Sequence, residues 1–77
     1  MPMYYFDVLM DIGLSIDRVG SELPDGAAVK KEGKALMLEV ARDRDRAGGS
    51  GNVRLNVRDG EDASVCTGKV EVELQSR

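Results

Sequence analysis

Residues 25–46, DGAAVKKEGKALMLEVARDRDR, decide the fold. Val29, Leu36, Met37 and Val40 recur through this stretch, with the small Gly33 between them. At about 100° per residue they share one side of a 3.6-residue helix, while Lys30, Lys31, Lys34, Arg42, Asp45 and Arg46 point largely elsewhere. Asp25, after Pro24, predicts an N-cap, because its carboxylate can accept a backbone N–H that the first helical turn leaves unpaired. Gly48-Gly49-Ser50-Gly51 predicts the stop, since glycine adopts the left-handed conformation that ends helices. Some twenty residues at ~1.5 Å each make a rod of roughly 30 Å. One helix cannot bury its own apolar stripe, so the flanking segments must provide a surface for it.

Upstream, residues 3–10, MYYFDVLM, alternate as a strand does. Asp7 belongs outside an apolar core, so Tyr4, Phe6, Val8 and Met10 face inward, and Tyr5, Asp7 and Leu9 face outward. Asp11-Ile12-Gly13 reads as a turn, followed by Leu14-Ser15-Ile16 as a second strand with Leu14 and Ile16 inward. Asp17-Arg18-Val19-Gly20 has the Asp-first, Gly-last pattern of a type I turn. Leu23 is placed to pack on the first helical turns as a hydrophobic staple. Downstream, Val53, Leu55 and Val57 share one face of residues 52–58, and Asp59-Gly60-Glu61-Asp62 closes a hairpin. The return strand, residues 63–74, breaks phase between Val65 and the set Val70, Val72 and Leu74. A β-bulge at Gly68 would turn both sets inward. Glu71 and Glu73 then face outward, toward arginines on a neighbouring strand. Residues 75–77 read as a frayed end. The expectation is an α+β domain over residues 1–77, in the order β-β-α-β-β, with a four-stranded antiparallel sheet and one helix packed on one face.

Composition narrows the function. The 77 residues suffice for one thin-cored domain. There is no histidine, which removes the commonest general base and metal ligand and every Ser-His or Cys-His nucleophile. The single cysteine, Cys66, excludes an internal disulfide and a multi-cysteine zinc site. No basic segment precedes an apolar run at the N-terminus, and no run approaches the ~18 apolar residues of a membrane span. A cytoplasmic protein with no membrane association is expected. The net charge of −3 argues against nonspecific nucleic-acid binding.

The N-terminal residues carry a resemblance. Met1-Pro2, Tyr4-Tyr5-Phe6-Asp7-Val8, Asp17, Gly20, Glu22-Leu23-Pro24-Asp25 and Ala27-Ala28 resemble a family of short uncharacterised bacterial proteins. Its members open M-P-x-Y-[FY]-F-[DH]-V, continue D-x-x-G-x-E-L-P-D and enter an alanine-rich helix. Val53 to Asp59 is similar to the start of that family's C-terminal hairpin. The resemblance implies a small bacterial domain of unknown function and carries no substrate, cofactor or catalytic residue. A second, architectural resemblance is to antitoxins of the HicB type, whose small domain occupies a toxin partner.

Several residues are candidate sites. Asp7, Asp11, Asp17, Glu22 and Asp25 form an acid-rich third that could present oxygens to Ca²⁺ or Mg²⁺, but turns and caps select aspartate for their own reasons. Neither this set nor Asp59-Gly60-Glu61-Asp62 has calcium-loop spacing, so no metal or cofactor is assigned. Asp7 with Glu22 is the only acid–base pair to consider; no nucleophile accompanies it, and no enzyme activity is expected. Cys66 could be reactive only if cations such as Lys69 and Arg54 adjoin it. The lysines and arginines of the helix are interleaved with acids, Glu39–Arg42 and Asp43–Arg46 having helical ion-pair spacing, which describes a solvated face. Leu38 lies on the helix side away from Leu36 and Val40, and Tyr5 and Leu9 lie on the outer sheet face. These three residues are the candidate interaction surface. The expectation is a small non-enzymatic domain that self-associates as a homo-oligomer or binds a single protein partner. A nucleic-acid-linked or antitoxin-like subunit is the alternative, and a metal-binding domain using the N-terminal acids comes third.

Overall fold

The computed structural model describes residues 1–72. It is an α+β arrangement of β1 (Met3–Met10), β2 (Gly13–Ser15), β3 (Ser21–Glu22), α1 (Gly26–Arg46), β4 (Val53–Asp59) and β5 (Ser64–Val70). The antiparallel sheet runs β2-β1-β4-β5, and β3 also pairs with β1. β1 and β4 are the central strands, and their alternation supplies the core. Phe6, Val8, Val53, Leu55 and Val57 are buried on one face, with Val29 and Ala41 of the helix above them.

The helix has the limits its sequence signals require. Asp25 is the N-cap, and its carboxylate accepts the Ala28 N–H at 2.9 Å. Ala47 is the C-cap, and Gly48 follows at φ +81°, the left-handed geometry that glycine adopts without a Cβ clash. Two glycines let the layers close. A Cβ on Gly33 would stand 2.8 Å from Leu55 Cδ2, and one on Gly68 2.6 Å from Met37 Cε. Gly33 therefore admits a leucine from the sheet, and Gly68 admits a methionine from the helix.

The second strand differs from its sequence reading. It breaks into β2, opposite the end of β1, and β3, opposite its start, with Val8↔Ser15 and Tyr4↔Ser21 as the inner limits. Leu14 pairs with Leu9, and directly opposed residues in a sheet share a face, so Leu14 points outward rather than into the core. Ile16 lies beyond the end of β2 and remains 48% exposed beside the helix. A three-residue strand has too few pairs to impose its alternation on the residues after it.

The bulge in the last hairpin is also displaced. The register shifts between Val57 and Arg58, opposite Ser64, Val65 and Cys66, while Leu55↔Gly68 is regular. Val65 is the extra residue, and it lines the same cleft as Tyr4 and Val29. The bulge turns Val65 and Val70 to one side as the phase break requires, but it does so at Val65. β5 ends at Val70, and the predicted continuation beyond residue 72 lies outside the described residues. Glu71, just past the end of β5, lies 3.5 Å from Lys69 instead of pairing with an arginine. Glu73 and residues 75–77 are also outside the described residues.

Candidate functional site

The N-terminal acids are taken up by structure. Where the edge strand breaks, the Asp17 carboxylate replaces the missing backbone. Phe6 N–H donates to its Oδ2 at 3.1 Å, and Val19 and Gly20 N–H donate to its Oδ1 at 3.0 Å each. Burial opposes ionisation of Asp17, but the amides of Gly20, Phe6 and Val19 outweigh it, and its carboxyl lies below the usual range. Asp7 is held from across the sheet. Arg58 Nε donates to its Oδ2 at 2.6 Å and Arg58 Nη2 to its Oδ1 at 3.0 Å, and Asp17 N–H donates to the same Oδ1 at 3.1 Å. Arg58 lowers the Asp7 carboxyl against the opposing effect of burial. The guanidinium also donates to the Asp17 carbonyl and to Asp62, and it lies 5.1 Å from the centroid of the Tyr5 ring. Its own pKa is raised, chiefly by Asp7.

A second knot ties the helix end to the β1–β2 turn. Arg44 clamps Asp11 through Nε at 2.8 Å and Nη2 at 3.1 Å, and Ser50 N–H donates to Asp11 Oδ2 at 3.0 Å. Arg44 and the Ser50 amide bring the Asp11 carboxyl down to about 2. Asp25 caps the helix, and Glu22 lies exposed opposite Met3, away from Asp7. Among the described residues no three His, Cys, Asp or Glu side chains converge as metal ligands. In the last hairpin the Asp59 carboxylate accepts the Glu61 and Ala63 N–H groups. Cys66, opposite Val57, faces the helix, whereas Lys69 and Arg54 pair on the other side of the sheet. The two cations therefore do not adjoin the thiol.

Tyr5, Leu9 and Leu38 are not brought together. Tyr5 is covered by Arg58 and half-buried. Leu9, 46% exposed, joins Leu14 in a small cross-strand apolar pair on the outer face. Leu38 is exposed on the helix, on the opposite side of the layer.

An apolar opening also lies elsewhere, matched in size by one of about 620 Å³ on the outer face beside Leu9 and Leu14. A groove of about 640 Å³ runs between α1 and the β1–β2 edge. Phe6, Val8 and Met10 form its floor, Leu36 and Val40 its helix wall, and Ile16 and Val19 its other rim. Packing explains it. Four strands about 4.8 Å apart exceed the width of one helix, which is about 10 Å across. Here the axis of α1 lies nearer β4 and β5, and it meets β1 at Gly33, where a Cβ would stand 3.7 Å from Phe6 Cε2. The residues flanking the groove could be found in the sequence only in part. Ile12, Leu14, Ile16 and Val19 crowd a short segment that cannot bury them all, and of these Ile16 and Val19 reach the groove. Glu32, Leu36, Glu39 and Asp43 follow the i, i+4, i+7, i+11 spacing of one helix line.

With this geometry in hand, the family described as Domain of unknown function (DUF6894) matches residues 3–71, and the chain belongs to that family. No curated protein and no solved structure matches the chain. No helix among the described residues is long and apolar enough to cross a membrane.

Proposed function

We propose that this protein is a small non-enzymatic interaction domain of a bacterial, cytoplasmic family, and that it engages a protein through the groove beside its helix. One observation carries the reading: beside the helix an apolar groove, walled by half-buried Met10, Leu36 and Val40 above buried Phe6 and Val8, opens to solvent at Ile16 and Val19. Val19 at the rim is 83% exposed, and single exposed apolar residues are common, but here Val19 continues a groove rather than standing alone. The acids considered for catalysis or metal binding support this reading, because Asp7, Asp11, Asp17 and Asp25 all accept hydrogen bonds that hold the fold. The N-terminal stretch that carries the family resemblance supports it too, since Phe6 and Val8 lie beneath the groove and Tyr4 packs on the core.

The test is affinity capture from the host lysate with the wild-type chain and with Val19→Glu, a change at a rim residue outside the core. A protein recovered near equal stoichiometry by wild type and lost by the variant supports the reading. A wild-type chain that recovers nothing and sediments as a strict monomer at all concentrations overturns it.

A second reading, a nucleic-acid-linked regulatory subunit, is favoured by one feature. Lys30, Lys31, Lys34 and Arg42 lie together on the helix side that carries Leu38. Salt-sensitive retention on nucleic acid, lost on changing Lys31 and Lys34 to Glu, would support this reading. Elution of wild type and variant at the same salt would dismiss it.

A further inference from the structure

We infer that the occupant of the groove is a helix from a partner protein, amphipathic, with lysines or arginines flanking its apolar stripe. This inference rests on the groove being an interaction surface, and it adds the chemistry of what binds there.

Space comes first. The axis of α1 lies nearer β4 and β5, and Leu36 and Val40 are its side chains toward β1, so a second rod would lie alongside them above the β1–β2 edge. The surface where such a rod would lie is apolar, from half-buried Met10, Leu36 and Val40 out to exposed Ile16 and Val19, with Phe6 and Val8 already buried beneath it. A helix laid there would pack against the side of α1 as well as on the strands, as two neighbouring helices do on one sheet.

Charge then selects the partner. At about 100° per residue, Glu32, Glu39 and Asp43 fall on the groove flank of α1, in line with Leu36 and next to Val40. Glu32 itself lines the groove, and all three acids are exposed. None has an ion-pair partner among the described residues, and neither Glu39–Arg42 nor Asp43–Arg46 forms a pair. Lys30 and Lys34 lie on the other flank, over the β5 side, where they border a separate cleft with Met37 and Cys66; Arg44 is held by Asp11, and Arg46, at the helix end, falls beside Glu39. The three carboxylates extend over about 16 Å of helix, two Debye lengths at physiological salt, so a partner helix meets them as a row. Among the described residues Arg18 is the only cation lining the groove, at the loop end. A row of acids beside an apolar floor favours a partner with matching cations and rejects anionic surfaces such as nucleic acid or acidic lipid.

A second copy of this chain is a poorer match. Its own basic helix flank carries Leu38 as the one large exposed apolar residue, too little to fill a floor of several apolar side chains. Its other exposed leucines, Leu9 and Leu14, belong to strands.

The experiment uses the full chain, isotope-labelled for amide NMR, and two synthetic amphipathic peptides. Both carry leucines at i, i+4, i+7 and i+11; one is flanked by lysines and the other by glutamates. The lysine peptide should shift the amides of Phe6, Val8, Ile16, Leu36 and Val40 and bind about tenfold more tightly than the glutamate peptide, as three exposed charge pairs would give. The preference should reverse in the double variant Glu32→Lys, Glu39→Lys, whose changes are at exposed positions and whose fold is checked from the same spectrum. Equal binding of both peptides in the groove overturns the charge assignment and leaves the interaction surface standing. No groove shift with either peptide overturns the inference. So do shifts confined to the Leu38 flank, and so do groove shifts produced by unlabelled wild-type chain, which would make the occupant a second copy. Capture of a protein by wild type but not by Val19→Glu would, in each of these cases, still uphold the interaction reading by itself.

Discussion

The two halves of the sheet's inner face share a chemistry and differ in cover. Beneath α1, the β4 residues Val53, Leu55 and Val57 are 1%, 4% and 0% exposed. Beside it, Phe6 and Val8 are buried too, but they form the floor of a groove, and Ile16 at its rim is 48% exposed. Apolar alternation is equally clear in β1 and β4. What separates the halves is width: one helix covers about two strands, and where it settles depends on close approach. Gly33 and Gly68 bring the helix down onto Leu55 and β5, and no corresponding gap draws it toward β2.

Mutations can break this contrast or sharpen it. The largest effect is expected in the covered half. Leu55→Ala removes a side chain with atoms packed on all sides and should lower unfolding free energy by about 2–5 kcal/mol in a urea titration. Next comes the broken edge. Asp17→Asn places an amide donor where one of two carboxylate oxygens accepted an N–H, from Phe6 or from Val19 and Gly20. A loss of about 1–3 kcal/mol is expected, with faster hydrogen exchange at the Phe6 amide. The smallest effect belongs to the groove. Ile16→Ala should change stability by no more than about 0.5 kcal/mol, because half of the side chain is already in water. A loss comparable to that of Leu55→Ala would show that the groove is closed in solution and would abolish the contrast.

Acid offers a measurement that spans both halves. Asp7, Asp11 and Asp17 have folded-state pKa values below the ordinary aspartate value. Their contribution is therefore fully present above about pH 4 and is lost as pH falls through the folded values. For Asp11 the lower end of that window is about 2. The Ser50 amide should report a transition centred near pH 2 in the wild-type chain and none in Asp11→Asn. A midpoint near 4 would mean that the Arg44 clamp does not hold Asp11 in solution.

The helix, its N-cap at Asp25, its stop at Gly48, and the inward faces of β1 and β4 were legible because each rests on local spacing. So were the structural duties of Asp25 and Asp59, at a cap and a turn. The ligands of Asp7 and Asp11 were not legible. Arg58 and Arg44 stand 51 and 33 residues away along the chain, and nothing local marks them as partners. Leu14 was misplaced because a three-residue strand takes its facing from the register with β1. The bulge went to Val65 rather than Gly68 because Gly68 is needed flat, opposite Leu55, to receive Met37.

By itself, then, the sequence determined what is periodic: one amphipathic helix, two strong strands, the turns, and a chemistry without histidine or paired cysteines. Only the tertiary structure decided where the helix settles on the sheet, which acids meet which arginines, and that an apolar groove opens beside an acidic helix flank. The reason is physical. Periodicity is written in neighbours a few residues apart, whereas cover and pairing depend on widths and approaches between segments that meet only when the chain has folded.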